Sequence, residues 1–171
     1  MRGYLQIVHL TEVLKIVPTL VDWFIAEWAP RYGPEGEGNA DSDLAACLNR
    51  QALPICLVAF DESNQMVGTA SLKDDSVGSE HGVGPRLAGL LVVGAYRGAG
   101  VGTALVAAIE NEAGRVELDE IFCSADSSAG ILERRGWQSF VTTESLRGTI
   151  SVYRKIGLTS LAAATPSGPT G

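Results

Sequence analysis

Three glycines at alternate positions, Gly98, Gly100 and Gly102, follow Arg97 and stand between an apolar run and a run with helical spacing. A strand, a glycine-rich turn and a helix form an anion site, because the unpaired N–H groups of the first helical turn converge where the helix dipole is positive. Glycine lets the backbone come close to the bound group. The pattern therefore predicts a backbone-built anion site.

Two nucleotide-binding motifs use the same physics and can be compared letter by letter. A P-loop requires a lysine after its last glycine, and no lysine follows any of these glycines. A dinucleotide fingerprint requires G-x-G-x-x-G, but Thr103 stands where the third glycine belongs. The spacing that fits is Arg-x-x-Gly-x-Gly. A glycine-rich turn that binds no ligand has the same sequence pattern, so the flanking sequence has to decide whether this turn binds one.

Composition limits the kinds of protein this chain can be. With 171 residues, 46% of them hydrophobic and 19% charged, it is expected to form one soluble domain. The expected location is the cytoplasm, because no apolar run reaches the ~18 residues of a membrane span and the N-terminus does not resemble a secretory signal. A formal charge of −7 argues against a nucleic-acid partner and mildly favours cationic small molecules. Three scattered cysteines predict buried thiols and no metal site.

Clustered strand-like runs with interspersed helical patterns predict a mixed α+β sheet. An apolar helical face from Val13 to Trp28 predicts a helix that Pro18 kinks or divides. The loop "PRYGPEGEGNADSD" follows, with Asp41 or Ser42 capping a short helix. The runs "PICLVAF" and "QMVGTASL" predict a hairpin, and a helix is expected over 101–113, with its end at 114.

The flanks of the glycine turn carry a family resemblance. The stretch "LAGLLVVGAYRGAGVGTALVAAIENEA" resembles the acetyl-coenzyme A signature of the GNAT superfamily of N-acetyltransferases. The preceding hairpin, the later segment "SSAGILERRGW" and the closing "LRGTISVYRKIG" are similar to further GNAT elements in the same order, over residues 53–157. The resemblance implies a GNAT fold, with a mixed sheet of about six or seven strands flanked by about four helices. The domain is expected to span 1–157, and residues 158–171 have the composition of a flexible tail.

The resemblance also implies which residues bind acetyl-CoA. In the family, backbone N–H groups of the turn and the helix start bind the pyrophosphate, and the strand before them pairs with the pantetheine arm, with one N–H meeting the acetyl carbonyl. Carried over by position, the cofactor-binding residues are Leu91, Val92, Val93, Arg97, Gly98, Ala99, Gly100, Val101, Gly102 and Thr103.

Acetyl transfer to an amine requires a neutral nucleophile, so a base or a water chain has to remove a proton. Glu80 and His81, in the loop before the cofactor strand, are the candidates for the catalytic base. Asp74 and Asp75 could attract a cationic substrate, although for each of these four residues taken alone the pattern favours a solvated loop charge. Tyr32 lies in the region that shapes the acceptor pocket in the family and is the candidate for a substrate contact.

Two positions depart from the family pattern. Leu132 stands where the family usually has the tyrosine that protonates the departing thiolate, so water, Ser127, Ser128 or Tyr153 would have to replace it. Arg86 stands where related sequences tend to have tryptophan, and we expect it to be an exposed residue at the start of a strand.

Together these features predict an acyltransferase that moves acetyl from acetyl-CoA to a primary amine of a small, cationic acceptor, by direct attack in a ternary complex. Leu132 supports the alternative of a non-catalytic or weakly active acyl-CoA-binding protein. No nucleic-acid or membrane partner is expected. A homodimer formed through the last strand or an exposed sheet edge is left open.

Overall fold

A computed structural model describes residues 4–74, 84–125, 129–145 and 148–159, whose strands form one seven-stranded sheet. The strands are β1 (Gln6–His9), β2 (Ile55–Phe60), β3 (Met66–Lys73), β4 (Arg86–Val92), β5 (Ile121–Ala125), β6 (Gln138–Ser145) and β7 (Gly148–Lys155). The helices are α1 (Val17–Glu27), α2 (Ala29–Tyr32), α3 (Ala40–Ala46), α4 (Val101–Arg115) and α5 (Ala129–Arg134). The strand order is β1-β2-β3-β4-β5-β7-β6. Only the β4–β5 pair is parallel among the described strands, so the α+β class with a mixed sheet is confirmed.

Helices cover both faces of the sheet. Side chains from α4 and α5, such as Leu105, Ile109 and Leu132, pack with Leu57 of β2 in one core. Phe24 of α1 and neighbouring side chains of α1 and α3 pack in a second core against the alternate residues of the same strand. All six residues of β2 are therefore buried, as expected for a strand that is covered on both faces.

The predicted hairpin is confirmed, since β2 and β3 pair antiparallel around the turn that begins at Asp61. The Asp61 carboxylate accepts hydrogen bonds from the backbone N–H groups of Ser63 and Gln65, each at 2.9 Å. A side chain that bonds its own backbone in this way favours a turn over a continued strand.

The start of α1 and the N-cap of α3 differ from the predicted ones. Pro18 lies in the first turn of α1 and does not divide a longer helix, because a proline is tolerated where its missing N–H would have no partner. Asn39 caps α3 by accepting a bond from the Ser42 N–H at 3.0 Å, so the predicted caps at Asp41 and Ser42 are wrong.

The helix α4 continues past the predicted stop at Gly114 and ends in a Schellman motif. The Leu118 N–H donates to the Ala113 carbonyl at 2.8 Å, and the Glu117 N–H donates to the Gly114 carbonyl at 3.1 Å. Glu117 takes the left-handed conformation, with φ of 65°, that glycine usually supplies at this position. The predicted end was wrong because the motif here is built on a glutamate.

The far end of the described chain packs onto the domain. Leu158, the first residue of the predicted tail, is fully buried in the core with α4. The Thr159 hydroxyl donates to Asp119 at 2.6 Å. Residues 160–171 of the predicted tail lie outside the described residues. Within the described part, no helix is both long and apolar enough to cross a bilayer.

A buried carboxylate ties three elements together. Glu110 of α4 is fully buried, and its Oε2 lies 2.9 Å from the Arg135 Nε, in the turn after α5. Its Oε1 lies 3.6 Å from the Lys155 Nζ of β7, and the same ammonium donates to the Arg135 carbonyl. Burial of a charge is costly unless it is paired, so the two cations hold α4, α5 and β7 in register around Glu110.

We expect Arg135→Met to lower the free energy of unfolding by about 3 kcal/mol, because it leaves Glu110 buried with Lys155 alone. The measurement is urea denaturation. Arg134→Met, which removes an exposed arginine next to it in sequence, is the matched control and should change stability by about 0.5 kcal/mol or less. Combining Arg135→Met with Glu110→Gln should cost less than the two single changes added together. Equal effects of the two arginine variants would contradict this assignment.

Candidate functional site

The parallel strands β4 and β5 separate almost as soon as they meet. Their only ladder pair among the described residues is Arg86 with Phe122. Further along, Gly89 and Leu90 of β4 oppose Ala70 of β3 in a bulge, and Gly89 has φ of 62°. A bulge bends its strand, so β4 leaves β5 and a gap opens towards the carboxyl ends of both strands.

Arg86 lies at the closed end of this gap, and its predicted exposure is wrong. The residue is only 1% exposed, and its Nη1 donates to the Ser124 Oγ of β5 at 2.9 Å. A buried guanidinium requires such hydrogen-bond partners. The arginine therefore bridges the two strands where they are still paired.

The bend leaves one backbone N–H of β4 directed into the gap. The Val93 N–H donates to the Val67 carbonyl of β3 at 3.0 Å. Backbone groups alternate along a strand, so the Leu91 N–H is also directed towards β3, whereas the groups of Val92 point to the opposite side. The Val92 carbonyl accepts a bond from the Arg97 Nε at 3.3 Å, which agrees with this direction.

The glycine turn leads directly into α4, and the first N–H groups of this helix have no backbone acceptor among the described residues. Within the described residues, no backbone acceptor is recorded for the N–H groups of residues 100–103, and the first intrahelical bond runs from Ala104 to Gly100. These are the four orphan donors of a helix start. Two other N–H groups in the predicted cradle are already used, since Arg97 donates to Gly94 and Ala99 donates to Tyr96.

The three alternate glycines are needed for two different reasons. Gly98 and Gly100 have φ of 82° and 87°, in the left-handed region, and Gly100 is the N-cap of α4. Gly102 has an ordinary helical conformation, but a Cβ there would lie 2.9 Å from the Ile131 Cδ1 of α5. The first two shape the turn, and the third lets α5 pack against the helix start.

A hydrogen bond anchors the turn to the neighbouring hairpin. The Tyr96 hydroxyl, in the short 3-10 turn Gly94–Tyr96, donates to the Asp61 Oδ2 at 2.5 Å. This bond lowers the pKa of Asp61 and raises the pKa of Tyr96, so both groups keep the protonation states that maintain it at neutral pH. The position of the glycine turn is thereby fixed relative to β2 and β3.

A cleft of about 230 Å³ lies between α1 and the end of β4. One wall is formed by Leu91, Val92 and Val93, with Gly94 and Arg97 next to them. The other wall is formed by Trp23, Ala26 and Glu27 of α1. The structure therefore brings together four residues that the sequence assigned to the cofactor, Leu91, Val92, Val93 and Arg97. Sequence reasoning missed Glu27, because an exposed glutamate on an amphipathic helix carries no local signal.

The predicted acceptor residues do not line this cleft within the described part of the chain. Asp74 is exposed at the end of β3, and Asp75, Glu80 and His81 lie outside the described residues. The Tyr32 hydroxyl donates to the Asp43 Oδ2 at 2.6 Å, which joins α2 to α3. Burial, together with this bond, raises the pKa of Tyr32 to about 12. The hydroxyl is committed to Asp43, and its contact with a substrate stays a prediction.

Tyr153, the one side-chain candidate for the proton donor that lies in the described part of the chain, is buried and already hydrogen-bonded. Leu132 is fully buried in the core beneath α4 and α5. The Tyr153 hydroxyl donates to the Glu133 Oε1 at 2.9 Å, and this bond raises the pKa of Tyr153. Ser127 and Ser128 lie outside the described residues. Cys47, Cys56 and Cys123 are buried, as predicted, and none of them is in a disulfide.

A larger cavity of about 420 Å³ lies beside β1 and the C-terminal part of α4. Its lining contains none of the residues predicted for cofactor or substrate. Its arginines are already paired, Arg50 with Glu12 at 2.8 Å and Arg115 with Glu112 at 2.7 Å. Size alone does not make it the candidate site, whereas the smaller cleft is lined by Leu91, Val92 and Val93 of the predicted cofactor strand.

Several solved structures of N-acetyltransferases share this fold. An aminoglycoside 6'-N-acetyltransferase complexed with coenzyme A is 16% identical, with a TM-score of 0.69, over 88% of this chain and 96% of that chain. A ribosomal-protein-alanine N-acetyltransferase from Brucella melitensis is 22% identical, with a TM-score of 0.67, over 88% and 99%. A GCN5-related N-acetyltransferase from Kribbella flavida is 18% identical, with a TM-score of 0.68, over 89% and 97%. At these identities the likeness establishes the fold.

Sequence comparison establishes the family. No curated protein sequence matches the chain significantly. The sequence profile of the Acetyltransferase (GNAT) family, however, matches residues 17–137, which is more than half of the chain. The chain therefore belongs to the GNAT acetyltransferase family, whose enzymes use acetyl-CoA.

Proposed function

We propose that the protein transfers acetyl from acetyl-CoA to a primary amine of a small, cationic acceptor, by direct attack in a ternary complex. The observation that carries the proposal is that the end of β4, which lines the cleft, is followed directly by the start of α4 with its unbonded N–H groups. The Val92 N–H is directed into the gap beside β4, and the free N–H groups of residues 100–103 begin α4 directly after it.

The start of α4 fits a pyrophosphate. Its four orphan N–H groups and the positive end of the helix dipole favour an anion. Apart from the chain neighbours, no described heavy atom lies within 4 Å of a Cβ built at Gly98 or Gly100, so the turn is uncrowded at these two positions. The guanidinium of Arg97 adds positive charge beside it. The predicted cradle over 97–103 thus narrows to Gly98 and residues 100–103 as backbone donors.

The gap beside β4 fits the pantetheine arm and the acetyl group. Acetyl-CoA supplies the acetyl group as a thioester. Val92 offers an N–H that a carbonyl oxygen can accept, and a backbone donor placed at a developing oxyanion is worth a few kcal/mol in comparable sites. Val93 was also assigned to this role, but its N–H is already bonded to Val67. Val92 is therefore the residue to which we assign the oxyanion contact.

Three features support a cationic amine as the acceptor. The chain carries a net charge of −7, a carboxylate lines the cleft, and an aminoglycoside acetyltransferase shares the fold. Glu80 and His81 remain our candidates for the base, with Asp74 and Asp75 as charges that attract the amine. The basis for these four assignments is still the sequence.

The buried leucine at position 132 favours a second candidate function, that of a non-catalytic acyl-CoA-binding protein. It removes the side chain that would protonate the departing thiolate. A thiol with a pKa of about 8.5 is a tolerable leaving group, and a general acid contributes roughly 10²–10⁴-fold, so its loss slows the reaction without abolishing it. Acetyl transfer is therefore the first candidate function, and acyl-CoA binding without catalysis is the second.

We expect the protein to release free thiol from acetyl-CoA in the presence of primary amines. The measurement follows thiol release and acetylated product across a panel of alkylamines, polyamines and aminoglycosides. Acetyl-CoA should also raise the melting temperature, because it binds the folded state. Stabilisation by acetyl-CoA with no turnover on any amine would favour the binding protein. Stabilisation by ATP or NAD, but not by acetyl-CoA, would reject both candidates.

We expect Gly100→Ala to raise the KM for acetyl-CoA and to destabilise the fold by about 1–2 kcal/mol, because a Cβ is strained at φ of 87°. The measurements are initial rates at saturating amine and urea denaturation. Gly130→Ala in α5 is the matched control, since its Cβ would meet only the Arg134 Nη1 at 3.6 Å. That variant should be as stable as the wild type or more so, by up to about 1 kcal/mol. An unchanged KM for acetyl-CoA in Gly100→Ala would count against the cradle.

A further inference from the structure

We propose that Trp23 and Glu27 of α1 form the wall of the cleft that binds the ammonium group of the acceptor. The proposal rests on the proposed function and assigns an acceptor-binding site within it. Both residues line the 230 Å³ cleft opposite the β4 wall. They are four positions apart, so they lie one turn apart on the same side of α1.

The Glu27 carboxylate is free to bind a cation. Within the described residues it makes no hydrogen bond or ion pair. The other charged group of the cleft is Arg97, whose Nε donates to the Val92 carbonyl and whose side chain forms no salt bridge with Glu27. The cleft is thus divided by charge, with a cation on the side of the glycine turn and an anion on the side of α1.

This division matches the two reactants. The phosphates of the donor favour the side with Arg97 and the start of α4. A primary alkylamine is protonated at neutral pH, since an ordinary ammonium pKa is about 10, and so it favours the side with Glu27. Val92, whose N–H is directed away from β3, lines the same cleft. The acceptor nitrogen is thereby brought to the wall that faces the acetyl-binding strand.

Trp23 and the size of the cleft narrow the class of ligand. An indole side chain supplies apolar surface and a π system that attracts cations. Ligand pockets commonly measure roughly 300–1,000 Å³, so a cleft of about 230 Å³ admits the amine-bearing end of an acceptor and not the whole of a large one. We therefore assign this wall to a primary alkylammonium group.

The test compares benzylamine with aniline, which are close in size but differ in charge at neutral pH. Benzylamine is protonated and aniline is neutral, so only benzylamine needs the carboxylate. We expect Glu27→Gln to lower kcat/KM for benzylamine about tenfold or more, mainly through KM, because a hydrogen bond to a charged group is lost. For aniline the change should stay within about twofold, and the KM for acetyl-CoA should not change. Glu27→Asp should restore part of the loss.

The matched control is Asp22→Asn, which removes one negative charge from an exposed position of the same helix that does not line the cleft. It should leave kcat/KM for both amines unchanged. Trp23→Leu keeps an apolar side chain but removes the π system. It should lower kcat/KM for benzylamine more than kcat/KM for aniline. An unchanged benzylamine rate in Glu27→Gln, an equal loss with both amines, or the same loss in Asp22→Asn would each overturn the proposal.

A failure of the proposed function gives a different result. If the wild type acetylates no amine of the panel above, the acetyltransferase proposal fails. If it acetylates neither benzylamine nor aniline, the wall is tested by binding alone. Calorimetric titration of benzylamine into the protein should show binding that weakens about tenfold or more in Glu27→Gln but persists in Asp22→Asn. Equal binding by all three proteins would overturn the inference.

Discussion

The early end of the β4–β5 ladder is the constraint on which the candidate site depends. Parallel strands normally continue pairing, and both strands would then use their inward N–H and carbonyl groups on each other. Here the ladder stops after Arg86 and Phe122, and the bulge at Gly89 turns β4 away. Val92 pairs with Gly68 of β3, but on its other side no described strand pairs with its backbone at the mouth of the gap. A backbone N–H that lacks a partner has to find one in water or in a ligand, and an extended ligand can take the place of the missing strand.

The gap stays open because each of its strands is held on the other side. β5 pairs with β7 over all five of its residues, Ile121–Ala125, and cannot follow β4. β4 pairs with β3 on both sides of the bulge. The closed end is joined by the bond from Arg86 to Ser124, and the open end is fixed by the bond from Tyr96 to Asp61. The ion cluster around Glu110 then connects α4 to β7.

Local signals in the sequence predicted the parts of this arrangement that depend on local conformation. Gly98 and Gly100 marked a turn that needs positive φ, and Asp61 lies in a polar turn between alternating strands. The burial of Arg86 could not be predicted from local signals, because it depends on Ser124, a partner 38 positions away. Glu27 gave no signal either, since helical spacing identifies the buried face of α1 but does not show which polar residue meets β4. The assignment of residues 91–93 came from the family resemblance.

The site separates two tasks between different kinds of group. In the proposed site the donor side depends on backbone, on the N–H groups of Val92 and of residues 100–103, and backbone geometry survives most side-chain substitutions. The proposed acceptor side depends on side chains of α1. A single exchange at Glu27 would change its charge, and one at Trp23 would change its aromatic surface, without moving β4 or α4. One fold can therefore keep its donor while its acceptor changes, which agrees with its occurrence in enzymes for an aminoglycoside and for a ribosomal protein. In the proposed reaction Leu132 is tolerable for a separate reason, because a thiolate whose thiol has a pKa of about 8.5 can leave without a side-chain acid.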